Sequence, residues 1–320
     1  MFYPMKLTPG FTDALWGGKR LISEFGMVTD KKNAAEAWVL SCHPEGLSVV
    51  QNGEFAGQTL QSVYTQNKGI CGFSAEGYDK FPIIIKFIDA EKDLSVQVHP
   101  DDEYTAFIGE GEGKSEAWYI LDCNDDAELI LGFKREISEH EFLEAIENDT
   151  ILDVVQKFKV KKGDVFYIEA GTLHAICKGV LLAEVQQNSD STYRVYDYNR
   201  PGFDGKPREL HVERAIDVTK RVPYVYNSPA QRKAETIGST VRTLLVNCEY
   251  FTFYTLEVNG EYSGAADESS FVSLLALDGS GEFECAGVAL PIKKGESIFI
   301  PAGCGEFTLE GGLTILETRI

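Results

Sequence analysis

A chain of 320 residues, 43% hydrophobic and 25% charged, has room for two domains or one elaborated core and is too apolar to be disordered. Its formal net charge of −20 excludes non-specific binding to nucleic acid or to an anionic membrane surface, both of which require a basic face, and no apolar run approaches the roughly 18 residues of a membrane span. Seven cysteines, an odd count without a C-x-x-C pair, do not read as a secreted disulfide scaffold; they read as reduced thiols, and the chain as a soluble cytoplasmic protein.

Near the start, Leu15-Trp16-Gly17-Gly18 places an indole that reads as a packing anchor or as a pocket wall. From residue 81 the chain reads mainly as short strands, rich in Val, Ile, Phe and Tyr and punctuated by Gly, Asp and Asn: 81–89, 94–98, 117–121, 128–132, 164–168, 180–185 and 193–198. Two segments break that pattern. Residues 138–158 read as a helix, opened by Ser138 and Glu141 as a capping box, with Phe142, Ala145, Ile146, Val154 and Val155 as apolar positions. Residues 209–220 read as a second helix on Val212, Ala215, Ile216 and Val218. Residues 163–174 (G-D-V-F-Y-I-E-A-G-T-L-H) align without gaps on 295–306 (G-E-S-I-F-I-P-A-G-C-G-E). In each copy a glycine turn starts a strand and an Ala-Gly turn ends it, and the last position, His174 or Glu306, is expected to return to the interior. The repeat predicts two related β-barrels, with the second free of metal because no Gln-x-His string accompanies it. Pro223, Pro229 and the polar stretch from Gln231 place the boundary near 220–240, giving units 1–230 and 231–320.

Three short strings carry candidate chemistry: Gln97-Val98-His99-Pro100, Lys114-Ser115-Glu116 and Gly171-Thr172-Leu173-His174-Ala175. Strand side chains alternate faces, so Gln97 and His99 share a face, as do Lys114, Glu116 and Trp118. Two imidazoles, a carboxylate and an amide oxygen form a ligand set for one divalent metal that leaves room for substrate, whereas a structural zinc site usually uses paired cysteines. His43, His140 and His211 have no such partners and read as solvated or capping residues. Asp190 and Arg194, four apart, are open to reading as a surface ion pair. Lys206 and Arg208 lie in a Gly/Pro loop, where they either meet an anionic ligand or are simply exposed.

The repeated G-x5-[P/E]-A-G-x-x-[H/E] string resembles the second cupin motif. With Q-V-H-P, K-S-E, G-T-L-H-A, the run Asn188 to Arg194, and the opening Leu15 to Gly18 with Leu21, the chain resembles the short bacterial type I mannose-6-phosphate isomerases over almost its whole length. The resemblance implies a mainly β fold of two cupin-like barrels, or jelly rolls, with a small helical insertion. It implies one zinc ion per chain on His99, Glu116 and His174, with Gln97 as a fourth ligand in many members. Arg194 falls on the catalytic arginine, Lys114 and Glu184 on acid/base or substrate positions, and Asp190 and Trp16 on substrate positions. Glu169 stands where many cupins have proline, and the helical insertion is shorter than in larger members.

The implied reaction interconverts mannose 6-phosphate and fructose 6-phosphate through a cis-enediol(ate), with Glu184 favoured over Lys114 as the base. The implied partner is a small sugar phosphate, with neither nucleic acid nor membrane, in a monomer or homodimer. Two other readings stand beside it: a metal-cupin dioxygenase and a sugar-phosphate-binding cupin without catalysis.

Overall fold

The computed structural model describes residues 2–226 and 232–320, so Pro229 and Gln231 of the expected boundary lie outside the described residues. The protein is mainly β. A six-stranded antiparallel sheet runs Val165–Ile168, Glu116–Cys123, Val180–Gln187, Ile83–Ala90, Ala34–Leu40, Gly10–Asp13. A five-stranded sheet runs Tyr193–Tyr196, Val96–Val98, His174–Ile176, Glu128–Phe133, Val155–Lys159. The two face each other, with Ile88, Trp118, Ile120, Phe166 and Leu182 of the first packed on Leu129, Leu131 and Ile176 of the second.

The unbroken Ile83-Ile84-Ile85 run follows from this layering. A strand with only one covered face alternates apolar and polar residues, whereas Ile83–Ala90 is buried at every position because both faces are covered. Its far side, Ile83, Ile85 and Phe87, joins Phe251, Phe271, Phe299 and Leu316 of the C-terminal half in one core, where each fully buried aromatic contributes about 1.5–3 kcal/mol. Behind the five-stranded sheet, the helices Glu139–Glu147 and Val212–Val218 supply Phe142, Ala145, Ile146 and Ala215 to cover Val96, Val98, Ile130 and Phe133.

The C-terminal sheet has nine strands, among them the long Thr252–Ala266, Val272–Cys285 and Gly305–Arg319, with a core of its own around Val258, Phe283 and Ile315. Two N-terminal strands complete it: Met5–Thr8 pairs antiparallel with Ser297–Ile300, Leu7 opposite Ser297, and also with Val49–Val50. The two halves of the chain are thus hydrogen-bonded into a common sheet.

The expected strands lie within about two residues of those observed, and three expectations need correction. Helix 138–158 ends early. Ser138 Oγ accepts from Glu141 N (3.1 Å), but the Glu141 carboxylate turns to Arg135 instead of closing the capping box. After Asp149, in the left-handed region at φ 57°, a one-turn helix Ile151–Val154 leads into the strand Val155–Lys159, whose alternating burial suits the edge position beside Glu128–Phe133. Secondly, among the described residues none of the three sheets closes on itself by hydrogen bonds; side-chain packing joins the walls where two barrels were expected. Thirdly, Glu306 is exposed and does not return to the interior. All seven cysteines are free, and among the described residues no helix is long and apolar enough to cross a membrane.

Candidate metal centre and pocket

His99, Glu116 and His174 converge between the two facing sheets, their ligand atoms all within 4.8 Å of one another. The strand register explains this: His174 opens its strand directly opposite Gln97, His99 follows Val98, and Glu116 opens the strand that pairs with Val180–Gln187. Gly171 sets up the approach. At φ 88° it donates its N–H to the His99 carbonyl (2.8 Å), and a Cβ there would stand 2.8 Å from the Val218 carbonyl oxygen.

Both imidazoles are aimed by carbonyls. His99 Nδ1 lies 2.8 Å from the Ser191 oxygen and His174 Nδ1 2.9 Å from the Thr172 oxygen. A carbonyl only accepts, so both Nδ1 atoms carry the proton and both Nε2 lone pairs face the cluster, each 3.4 Å from a Glu116 oxygen. Burial, then the Lys114 ammonium, lowers His99 to about 3, and burial also lowers His174, which keeps both rings in the neutral, ligating form. Burial raises Glu116, but Lys114 and then His99 outweigh it and hold the carboxylate well below its usual range. The Lys114 ammonium already sits on Glu116 Oε2 (2.8 Å) and 3.1 Å from His99 Nε2, so the donor set is complementary to positive charge. Two neutral imidazoles and an ionised carboxylate, held by backbone acceptors, fit a divalent metal. Gln97 lies beside them, its Nε2 3.4 Å from His174 Nε2 and its Oε1 accepting from Ser95 Oγ at 3.3 Å.

The cluster opens on a cavity of about 260 Å³ whose wall includes Trp16, Gln97, Lys114, Glu116, Glu184, Asp190 and Arg194, all singled out in the sequence. Glu184 is 2% exposed, with its Oε2 taking the Trp118 indole N–H (2.6 Å) and its Oε1 3.0 Å from Lys86 Nζ. Burial, then the Glu116 charge, raises its pKa against the pull of Lys86 and Lys114. Arg194 donates to the Glu209 carbonyl (2.8 Å) and keeps a buried Nε with no hydrogen-bond partner, while burial and then Arg208 lower its pKa. Asp190 is exposed and faces His43 Nε2 at 3.7 Å rather than pairing with Arg194. Arg208 reaches the cavity but is bound to Asp197 (2.7 Å), and Lys206 does not reach it. Glu169 is exposed and pairs with Lys220 at 2.8 Å, outside the cavity. His43 and His211 act as local acceptors for Glu45 N and Arg194 N, and His140 is exposed beside Glu144. Among the described residues, a wider cleft of about 580 Å³ between Tyr167, Lys220, Tyr224 and Leu244 has no such convergence of ligands and bases.

Glu36, Trp38, Lys86 and Trp118 also line the cavity, although no sequence motif gives them a role. One signal was available. A lone lysine inside Ile-Ile-Ile-Lys-Phe-Ile is costly to bury unless an opposite charge meets it.

Facing sheets around a buried two-histidine, one-glutamate centre define a mainly β protein of the cupin type with a metal-competent pocket. A model of the phosphomannose isomerase type I catalytic domain matches residues 5–138, and one of the mannose-6-phosphate isomerase cupin domain matches 240–320. The putative mannose-6-phosphate isomerase YvyI of Bacillus subtilis is 40% identical over 318 residues, 99% of each chain, and the mannose-6-phosphate isomerase ManA of the same organism is 40% identical over 309 residues, 96% of each. The crystal structure of a mannose 6-phosphate isomerase from Bacillus subtilis superposes with a TM-score of 0.93 at 37% identity, covering 100% of both chains. The chain belongs to the type I mannose-6-phosphate isomerase family of enzymes.

Proposed function

We propose that this enzyme interconverts D-mannose 6-phosphate and D-fructose 6-phosphate through a cis-enediol(ate), with one zinc ion per chain held by His99, Glu116 and His174 and with Gln97 as fourth ligand. The observation that carries the reading is that a buried metal-competent donor set, His99, Glu116 and His174, adjoins through Glu116 a cavity that also holds a separate carboxylate of raised basicity, Glu184. A divalent metal bound there supplies Lewis-acid polarisation of a substrate oxygen.

The rest is the work of side chains. Glu184 takes the proton from C2 of the aldose. The C–H electron pair becomes the C1–C2 double bond, and charge gathers on the C1 oxygen. Arg194 directs its N–H groups to that oxyanion. Glu184 then returns the proton to C1 while the C2 hydroxyl proton passes to the C1 oxygen, which leaves the ketose. Lys114, Asp190, Arg194 and Trp16 contact the sugar phosphate in this reading. Residues 1–230 form the metal-bearing unit and 231–320 a metal-free cupin-like unit, each with the jelly-roll arrangement of two walls.

A coupled assay for fructose 6-phosphate tests the reading. Turnover is expected, with loss on chelation and recovery on adding zinc. Stoichiometric iron with O2 consumption would replace the isomerase by a dioxygenase, and sugar-phosphate binding without turnover would replace it by a non-catalytic cupin. In D2O the native enzyme should place deuterium at C1 or C2. Glu184→Gln should bind zinc yet show no exchange on the timescale of native turnover, whereas exchange that survives at the native rate in Glu184→Gln and vanishes in Lys114→Met would make Lys114 the base.

A further inference from the structure

Four neighbouring strands of the six-stranded sheet place Trp118, Glu184, Lys86 and Trp38 directly opposite one another in a single row, Glu184 between Trp118 and Lys86, and Lys86 between Glu184 and Trp38. Side chains so paired lie on the same face and touch. Here that face lines the cavity.

The row forms a closed chain of contacts. Trp118 Nε1 donates to Glu184 (2.6 Å), Lys86 Nζ stands 3.0 Å from Glu184 Oε1 and 3.6 Å from Glu36 Oε2, and Trp38 Nε1 donates to Glu36 (2.6 Å). The Trp38 ring lies under the same ammonium, 5.2 Å from its centroid. An indole thus holds each carboxylate, and one buried ammonium joins the two.

We infer that Lys86 is a positioning residue for Glu184: its ammonium, clamped between Glu184 and Glu36, fixes the direction in which the Glu184 carboxylate faces the reacting carbons. The inference rests on the reading of Glu184 as the base. The Trp118 hydrogen bond holds Oε2 alone, and a carboxylate so held swings about its terminal bond; the Lys86 charge 3.0 Å from Oε1, which has no hydrogen-bond partner, is what sets its direction. Proton abstraction from carbon tolerates only about 0.5 Å of misplacement. Without Lys86, Glu184 and Glu36 would face each other across a desolvated gap, and repulsion would turn Glu184 from its place.

Turnover of mannose 6-phosphate by the native enzyme is measured first, since its absence would sink the functional reading whatever Lys86 does. A double-mutant cycle then combines Lys86→Met with Glu184→Gln, following kcat, KM and zinc content. Lys86→Met alone should lower kcat about 10- to 100-fold with KM within about 3-fold and zinc unchanged. In the Glu184→Gln background, whose residual turnover is followed over hours, it should lower kcat by less than about 3-fold, because a residue acting through Glu184 has nothing left to act on. Lys86→Arg, which keeps the charge, should recover part of the loss. Equal losses in both backgrounds, a native kcat in Lys86→Met, or a native kcat in Glu184→Gln would each overturn the inference. If Lys86→Met does not fold, Lys86→Gln takes its place in the same cycle under the same criteria.

Discussion

Residues 163–174 and 295–306 share a backbone and differ in destination. Val165–Ile168 and Ser297–Ile300 occupy the same four positions of the repeat, and the flanking glycines match in conformation, Gly163 and Gly171 at φ 86° and 88°, Gly295 and Gly303 at 87° and 76°. The copies part after the second turn. The first crosses to the facing sheet, so that Leu173 and His174 are buried and the imidazole meets Glu116 across the gap. The second continues into Gly305–Arg319 of its own sheet, and Glu306 stays in solvent. A turn-strand-turn unit therefore makes a ligand position only when the next strand enters a second wall, because only then does a neighbouring strand face the ligand.

The strongest way to break this comparison is to remove the last residue of each copy. His174→Ala should lose stoichiometric zinc and cut turnover on the order of 10³-fold, the rate equivalent of the several kcal/mol a metal supplies, while Glu306→Ala should change neither. Equal loss in both, read by metal analysis and the coupled assay, would mean that the second copy also serves the site.

The turn glycines offer a smaller, structural contrast. Both need a left-handed backbone, so alanine at either should cost about 1–3 kcal/mol. A Cβ at Gly171 also strikes the Val218 carbonyl at 2.8 Å, whereas at Gly303 the nearest atom is Glu268 Cγ at 3.8 Å. Gly171→Ala should therefore melt at the lower temperature. The reverse order in thermal unfolding would show that the tight approach to the metal centre relaxes freely.

A further contrast is in pH. All five histidines lie in the first 211 residues, and His99 is lowered from its ordinary 6.5 to about 3, first by burial and then by Lys114. In the zinc-free protein the unfolded chain binds the His99 proton first, so stability falls as pH drops below 6.5. Glu116, held below its ordinary 4.5, adds a loss of the same sign only at lower pH. Between pH 6.5 and 4.5, His99→Gln should flatten the dependence of the denaturation midpoint. An unchanged slope would remove His99 as its source.

The centre was legible in the sequence because strand periodicity is local: Gln97 and His99, or Lys114 and Glu116, share a face by their spacing alone. What the spacing does not encode is which strands become neighbours. Lys86 and Glu36 are separated by fifty residues of chain and acquire meaning only when Ala34–Leu40 pairs with Ile83–Ala90. The same gap explains Glu306, since twelve aligned letters describe the turn and strand but not the sheet that receives the next one. Residues 155–158 read as helix because Val154 and Val155 fit either period; the edge of the five-stranded sheet decided the matter.

The pairing of Met5–Thr8 with Ser297–Ile300, fastened by Lys6 to Glu296 at 2.7 Å across 290 residues of chain, has a consequence for biosynthesis. A ribosome adding about 5–20 residues per second leaves that strand waiting on the order of 15–60 s for its partner. During that interval its hydrogen-bonding edge is open, and the contact that ties the two halves together forms only once nearly all of this sequence has been made. The half that carries His99, Glu116 and His174 is therefore translated early and buttressed late, a timing that makes nascent chains of this enzyme clients for whatever shields an unpaired strand.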